Sequence, residues 1–309
     1  MTVNLFKQQV DTTLVGRRRR RVPRSRWTYV GVALVAFAAM SFIDTATTNP
    51  NFGWPVVGTF LLHPSILSGL GFALQMMVVV MVLGTALGII VALMRTSANR
   101  MISGAAWLYI WFFRGTPLLI QIIFWFNIAA LFPQIELAVP FGPTLLGVDS
   151  NTLITPLTAA ILALSLNEAA YMAEVVRGGL LGVNKGQGEA AKALGMGPLE
   201  VFKIVMPQAI RIIIPATANQ VVNAFKNTSL VSVIGVADLL HSAQIIYSIN
   251  YQTIPLLLVA ALWYLFITSL LGYGQGLLEQ HYSKGYSPVN RRWRKKRQPK
   301  VETVESDGT

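Results

Sequence analysis

Long apolar runs constrain this chain more than any other feature of its sequence. Several of them approach or exceed the ~20 residues that a helix needs to cross the hydrocarbon core of a bilayer. Apolar residues make up 53% of the 309 residues and charged residues only 12%, whereas about a quarter of an ordinary soluble domain is charged. The sequence therefore predicts an all-α fold, a polytopic membrane bundle of about six transmembrane helices. The predicted spans are 27–43, 66–94, 105–131, 153–176, 210–225 and 254–278.

The first apolar run has two interpretations, because a basic segment precedes it as in a secretory signal peptide. Asp44-Thr45-Ala46 is a poor cleavage site, so we expect the run to be retained as a helix. The predicted segments are a basic N-terminal stretch (1–26), an extra helix with an external loop (27–65), a core of five membrane helices (66–280) and a basic tail (281–309).

The distribution of Lys and Arg predicts the orientation of the helices. Basic residues cluster at both ends of the chain, at Arg95 and Arg100, and in 177–211. The loops 44–65, 133–152 and 236–253 contain none. Because cytoplasmic loops carry the excess of positive charge, both termini and the loop after the fourth span are expected in the cytoplasm. The net charge of +12 then reflects contact with the membrane surface, and no nucleic-acid partner is expected.

The cytoplasmic loop at 185–207 reads KGQGEAAKALGMGPLEVFKIVMP. Its first part favours a short helix, which Gly195, Gly197 and Pro198 then interrupt before a second helix begins. A helix-turn-helix held at a membrane surface is a shape to which another protein can bind. The residues predicted to form this docking loop are Gly186, Gln187, Glu189, Ala190, Ala191, Gly195 and Pro207.

This loop resembles the EAA coupling loop of permease subunits of ATP-binding-cassette (ABC) importers. The flanking sequences, LSLNEAAYMAEVVRGGL at 164–180 and PQAIRIIIPATANQVVNAFKNTSLVSVIG at 207–235, look like the polar amino-acid uptake branch of that family. The resemblance extends over roughly 66–280 and implies a type I importer fold. It also implies four kinds of partner: a dimer of ATP-binding subunits, a second permease chain that is identical or homologous, an extracytoplasmic amino-acid-binding protein, and the lipid of a bacterial inner membrane.

Charged residues inside apolar spans are expensive, so each one is a candidate for function. Arg114 and Glu168 lie at similar predicted depth, ~13 and ~12 Å from the cytoplasmic ends of their helices. Either they form a salt bridge, or they line the pathway and meet the carboxylate and a cationic group of a substrate. A local ion pair is expected instead between Glu174 and Arg177. The candidate pathway residues are Arg114, Thr116, Pro117, Asn167, Glu168, Tyr171, Asn223 and Lys226.

Four of these residues lie in landmarks of the family that the chain resembles. Arg114, Thr116 and Pro117 belong to Arg-Gly-Thr-Pro at 114–117, and Lys226 belongs to Lys-x-Thr-Ser-Leu at 226–230. The chain departs from the family pattern at Asn227, where an acidic residue is common. It departs again at Glu168, where a small or hydroxyl residue is more usual. The second departure favours a cationic amino acid as the substrate.

Several chemistries are not supported by the sequence. It has no phosphate-binding loop of the G-x-x-x-x-G-K-[ST] type, no cysteine, and only three isolated histidines. We therefore expect no catalytic residue, no metal site and no cofactor on this chain, with ATP and Mg²⁺ bound by the partner ATPase. The alternative function is a secondary transporter or channel for a small polar solute that works without an ATPase.

Overall fold

The structure is a computed structural model that describes residues 26–138 and 144–283. The predicted basic segments before and after these ranges, 1–25 and 284–309, lie outside the described residues. Within the described ranges the chain forms eleven α-helices and one two-stranded sheet, β1 (Gln134–Ala138) paired with β2 (Thr144–Asp149). The helices are α1 (Arg26–Thr48), α2 (Trp54–Leu61), α3 (Pro64–Arg95), α4 (Arg100–Gly115), α5 (Leu118–Phe126), α6 (Ser150–Leu153), α7 (Pro156–Leu181), α8 (Lys185–Ala193), α9 (Pro198–Asn227), α10 (Leu239–Asn250) and α11 (Thr253–Ser283).

The chain divides into two compact units, and the described part of the first is α1 with a short 3₁₀ turn, Pro50–Phe52. Exposed apolar side chains such as Val35 and Phe37 surround this helix, a pattern typical of a membrane span. It ends five residues beyond the predicted span, since the hydroxyls of Thr47 and Thr48 donate to the carbonyls of Ile43 and Asp44 and prolong the helix.

The second unit, which begins at Trp54, is built on the close contact between α3 and α7. Gly84 and Gly88 lie four residues apart on α3 and face α7. A Cβ atom at Gly84 would lie 2.8 Å from the side chain of Glu168, and one at Gly88 would lie 2.6 Å from the Cβ of Met172. Small residues at this spacing let two membrane helices approach closely. Within lipid the hydrophobic effect does not drive helices together, so van der Waals packing holds the pair.

The predicted third span, 105–131, is wrong as a single helix. It consists of α4 and α5, which are bent by 101° at the break between them. The cause is Pro117, which cannot donate a main-chain hydrogen bond and excludes helical backbone from the residue before it. Thr116 accordingly is extended, with φ −108° and ψ 142°.

The helix-turn-helix predicted at 185–207 is present, but the boundary predicted at its C-terminal end is wrong. Helix α8 stops at Ala193, Gly195 takes φ +76°, and α9 begins at Pro198. The predicted boundary at Pro207 does not exist, because α9 continues through Pro207 and Pro215 as one helix of 30 residues. An interior proline costs roughly 3 kcal/mol, and the packing of α9 along α7 and α11 offsets that cost. The predicted span 210–225 is therefore the second half of a longer helix, and α7 likewise extends past residue 176 to Leu181.

Two segments predicted as irregular have regular structure. The external segment 133–151 contains the antiparallel pair β1–β2, in which Ile135 lies opposite Val148. The predicted loop 236–253 contains α10, whose first turn is capped by the carboxylate of Asp238. Asp238 is fully buried, and it also accepts a hydrogen bond from the hydroxyl of Tyr264 over 3.1 Å. Its carboxylate thereby fastens α10 to α11.

Candidate translocation cavity

All eight predicted pathway residues line one cavity of about 610 Å³, which we name the polar cavity. It lies where the break between α4 and α5 meets α7 and α9. Four further residues complete its wall: Gly115, Leu118, Gln220 and Asn227. Three stretches of the chain, 114–118, 167–171 and 220–227, therefore meet at one site.

Each element contributes to the polar cavity for a local reason. The extended backbone at Thr116 turns the end of α4 toward the cavity and exposes Arg114 and Pro117 there. Helix α7 contributes Asn167, Glu168 and Tyr171, which are spaced to share one side of a helix.

Helix α9 contributes Asn223 and Lys226, which the sequence analysis predicted, and Gln220 and Asn227, which it did not select. The Asn223 amide donates to the Gln220 side chain over 3.3 Å. The signal for Gln220 was present in the sequence, since a polar residue three positions before Asn223 lies on the same face of a helix.

A buried pair of amides replaces the hydrogen bond that Pro117 cannot make. In an unbroken helix the carbonyl of Phe113 would accept from the N–H of residue 117, which is proline and has none. Gln121 and Asn167 instead donate to that carbonyl over 2.9 and 2.8 Å. Gln121 is 5% exposed and Asn167 is 6% exposed. Asn167 thus supports the break as well as lining the cavity, and Gln121 is a structural residue that the sequence analysis missed.

The salt bridge between Arg114 and Glu168, one of the two predicted alternatives, is not formed among the described residues. The guanidinium of Arg114 instead lies 4.0 Å from a carboxylate oxygen of Glu174 and 5.1 Å from the ring centre of Tyr171, over its face. Glu174 also accepts hydrogen bonds of 3.1 and 2.5 Å from Arg177, which confirms the predicted local ion pair. The Arg114 side chain therefore points toward Glu174 and Arg177.

Glu168 has a different environment. It is 5% exposed, and its Oε1 atom has no hydrogen-bond partner within the described part of the chain. A buried carboxylate oxygen without a partner is costly. Since Glu168 lines the polar cavity, a cation in that cavity can pair with its carboxylate.

A second cavity of about 520 Å³ adjoins the first, and we name it the basic cavity. Its charged residues are Arg95, Arg114, Glu174 and Arg177, and Trp107 and Trp111 lie at its wall. Arg114, Gly115 and Tyr171 line both cavities. These three residues therefore form the partition between the two.

The predicted docking loop lies apart from both cavities. Gly186, Gln187, Glu189 and Ala190 are exposed on α8, whereas Ala191 is buried, and α8 packs against α9. The end of α8 and the first turn of α9 add exposed apolar side chains that the sequence analysis did not single out, Leu194 at 81% and Leu199 at 77%. An exposed apolar patch beside polar helix residues is typical of a protein-binding surface.

No group of three His, Asp or Glu side chains in the described ranges is arranged to hold a metal ion. The chemistry that the polar cavity offers is binding, through amides, a carboxylate and two cations. Five helices in the described ranges are long and apolar enough to cross a membrane, or six if α4 and α5 count as one crossing. Membrane-crossing helices around a polar cavity define a polytopic membrane transport protein.

Comparison with known proteins gives the family, and the family predicted from the sequence is confirmed. The chain belongs to the family described as binding-protein-dependent transport system inner membrane component, whose model matches residues 84–284. Such a component is a transport subunit and not an enzyme, and in general it works with an ATPase and a substrate-binding protein on separate chains. A transporter or channel that acts alone is not favoured.

Two curated relatives and one solved structure illustrate the similarity. The arginine transport system permease protein ArgU of Corynebacterium glutamicum is 41% identical over 264 residues, which is 84% of this chain and 81% of the relative. The octopine transport system permease protein OccM of Rhizobium radiobacter is 39% identical over 75% of this chain and 89% of the relative. The crystal structure of an amino acid ABC transporter with histidines contains a chain that is 34% identical. It matches with a TM-score of 0.61 over 71% of this chain and 94% of that chain.

Proposed function

We propose that this chain forms the membrane pathway of an ATP-driven importer for cationic amino acids in the bacterial cytoplasmic membrane. The observation that carries the proposal is Glu168, a buried carboxylate that lines the polar cavity and has an oxygen without a partner among the described residues. A cationic side chain in the cavity both neutralises this carboxylate and donates the missing hydrogen bond. A neutral or acidic side chain leaves the carboxylate unpaired.

The remaining cavity residues suit the other end of an amino acid. Lys226 lines the cavity from α9, and no described carboxylate lies within 4.0 Å of it. Its ammonium is therefore available for the α-carboxylate of the substrate, a role that the sequence analysis gave to Arg114. The amides of Gln220, Asn223 and Asn227 line the same wall and can bind the α-amino group.

The names of the relatives support the substrate class. The permease ArgU from Corynebacterium glutamicum and the permease ArtQ from Bacillus subtilis, the latter 36% identical, both belong to arginine transport systems by name. We infer a substrate that carries a guanidinium or an ammonium on its side chain.

The docking loop is proposed to bind a dimer of ATPase subunits, which hold ATP and Mg²⁺. Exposed Glu189 and Ala190 on α8, together with the apolar Leu194 and Leu199, support this role. A second permease chain, identical or homologous, is proposed to complete the pathway, and an extracytoplasmic binding protein to deliver the substrate. The positive charge at both ends of the sequence supports cytoplasmic termini.

The test is uptake of labelled amino acids by cells with and without this chain. The panel contains arginine and lysine, the neutral glutamine and the acidic glutamate. We expect that deletion abolishes only the uptake of the cationic members. Glu168→Gln, which keeps the shape of the side chain and removes its charge, is expected to lower arginine uptake by at least tenfold. Loss of glutamine or glutamate uptake, with arginine uptake intact, would overturn the substrate class.

A further inference from the structure

The surroundings of Arg114 form a site for a positively charged group. Its guanidinium lies over the face of Tyr171, 5.1 Å from the ring centre, and 4.0 Å from the carboxylate of Glu174. An aromatic face and a carboxylate together are a recurrent way of holding an organic cation in proteins. Tyr171 and Glu174 are three residues apart on α7, so they lie on one side of the helix.

This site lies next to Glu168 along α7. Glu168 and Tyr171 line the polar cavity, whereas Tyr171 and Glu174 line the basic cavity. A cation that leaves Glu168 and moves toward the docking loop therefore next meets the ring of Tyr171 and then the carboxylate of Glu174. The steps are three residues each, or roughly 4.5 Å of helix rise.

We propose that Tyr171 and Glu174 form a second subsite for the cationic group of the substrate, and that Arg114 fills this subsite when no substrate is there. The inference rests on the proposed function, because it requires a substrate with a guanidinium or ammonium group. It assigns Tyr171 and Glu174 to the path between the polar cavity and the end of α7 that leads to the docking loop.

Arg114 is held loosely enough to be displaced. Its side chain is 42% exposed, and its distance from Glu174 is at the limit of an ion pair. Glu174 is held more tightly by Arg177, at 2.5 Å, so the carboxylate stays in place when Arg114 leaves. Arg114 also lies at the end of α4, one residue before Gly115 and the bend of 101°. The backbone near it is therefore not fixed by a continuous helix.

The exchange leaves neither Glu174 nor Arg114 unpaired. The cationic group of the substrate takes the place of the Arg114 guanidinium on Tyr171 and Glu174. The displaced guanidinium remains at the partition and can pair with the α-carboxylate that the same substrate carries. A neutral amino acid cannot complete this exchange, since it brings a carboxylate without a second cation for Tyr171 and Glu174.

The first test compares Tyr171→Leu with Tyr171→Phe in cells that carry the complete transporter. Phenylalanine keeps the aromatic face and leucine does not, so only the leucine variant loses the attraction between ring and cation. We expect arginine uptake to fall roughly fivefold to tenfold in Tyr171→Leu, the range that this attraction supports, and less than twofold in Tyr171→Phe. The amount of each variant in the membrane is measured alongside uptake.

The second test keeps Tyr171 and Glu174 intact and probes the partition between the cavities. The chain has no cysteine, and a Cβ atom added at Gly115 would meet no atom within 4 Å, so Gly115→Cys introduces a single thiol at an open position. We expect arginine to slow the reaction of this thiol with a small methanethiosulfonate reagent by at least fivefold. Citrulline, a neutral analogue of arginine, should have little effect.

The outcomes separate the two proposals. If the wild-type transporter takes up arginine but Tyr171→Leu and Tyr171→Phe transport equally well, the subsite is rejected and the proposed function stands. Equal protection of Gly115→Cys by arginine and citrulline also rejects the subsite. A wild-type transporter that takes up no cationic amino acid overturns the substrate class and the subsite together.

Discussion

Asn167 and Gln121 donate hydrogen bonds to one main-chain oxygen, the carbonyl of Phe113, over 2.8 and 2.9 Å. Two buried side chains from different helices thus take the place of the main-chain donor that Pro117 lacks. Their own contact, 3.2 Å between the Asn167 amide nitrogen and the Gln121 oxygen, ties the break between α4 and α5 to α7. The position of Arg114 and Thr116 in the cavity depends on this tie.

Removing one of these donors is expected to destabilise the protein. Asn167→Ala leaves a buried carbonyl with one donor fewer and the Gln121 oxygen without this partner, so we expect a loss of about 2–3 kcal/mol in the free energy of unfolding. The matched control is Asn127→Ala. Asn127 also donates to a carbonyl over 2.8 Å, but it is exposed, and its replacement is expected to cost less than about 0.5 kcal/mol. Thermal unfolding of both purified variants in detergent measures the two losses of stability. Equal losses would show that the hydrogen bonds of Asn167 contribute no more to stability than an exposed hydrogen bond does.

The glycines of α3 give a second pair of matched variants. Gly88→Ala places a Cβ 2.6 Å from the Cβ of Met172, which forces α3 and α7 apart, so we expect a destabilisation of about 1–3 kcal/mol. Gly71→Ala lies on the same helix in open space and is expected to be neutral or to stabilise by up to about 1 kcal/mol. The melting temperatures of the two variants should therefore change in opposite directions or by very different amounts. A stable Gly88→Ala protein would contradict the close packing of α3 on α7.

The docking loop can be tested by charge reversal. Glu189→Lys combined with Gly195→Asp is expected to abolish uptake, because it changes the exposed face of α8 and strains a turn at φ +76°. The protein should remain in the membrane in normal amount, since both residues are exposed. Glu279→Lys makes the same charge reversal at an exposed position of α11 and is the control for a general effect of charge. Normal uptake by the double variant would remove the docking proposal.

The buried carboxyl of Asp238 is expected to make the stability of the protein depend on pH. Burial raises the pKa of its carboxyl above the ordinary value for aspartate, against the opposing effect of hydrogen bonds from His241, Leu240 and Tyr264. A raised pKa means that the folded state favours the protonated form. The resulting stabilisation is complete below the ordinary pKa and is lost as the pH rises through the raised one. We expect the melting temperature of the wild type to fall with rising pH in this window more steeply than that of Asp238→Asn, which does not titrate. Parallel curves for the two proteins would contradict this prediction.

The polar residues of the cavity could be predicted because a polar side chain in a membrane span is costly unless it faces protein or water. That argument needs no knowledge of the fold. Together with the family landmark at 114–117, it selected eight residues that the structure brings to one cavity. It did not predict their pairing. Arg114 and Glu168 have matching depth, yet depth along a helix says nothing about which way a long side chain points, and Arg114 contacts Glu174 instead.

Two of the errors arise because tertiary packing overrides or adds to a local signal. Pro207 was interpreted as the end of a segment, but α9 continues through it while packed along α7 and α11. Gln121 was not selected, because its partners are a carbonyl eight residues away and an amide on α7. The strand β1 was missed because the alternation of polar and apolar residues at Gln134, Ile135 and Glu136 is short. The surrounding residues have the composition of a loop, which was the stronger signal.

Helix α9 begins within the docking loop at Pro198 and ends in the wall of the polar cavity, where it contributes Asn223 and Lys226. Its 30 residues make a rod of about 45 Å, so a tilt of about 10° around its middle displaces each end by roughly 4 Å in opposite directions. The molecule thus has a built-in lever. A force applied at the surface is carried into the membrane interior along one helix with its direction reversed, and Pro207 and Pro215 are the points on that helix where a main-chain hydrogen bond is missing.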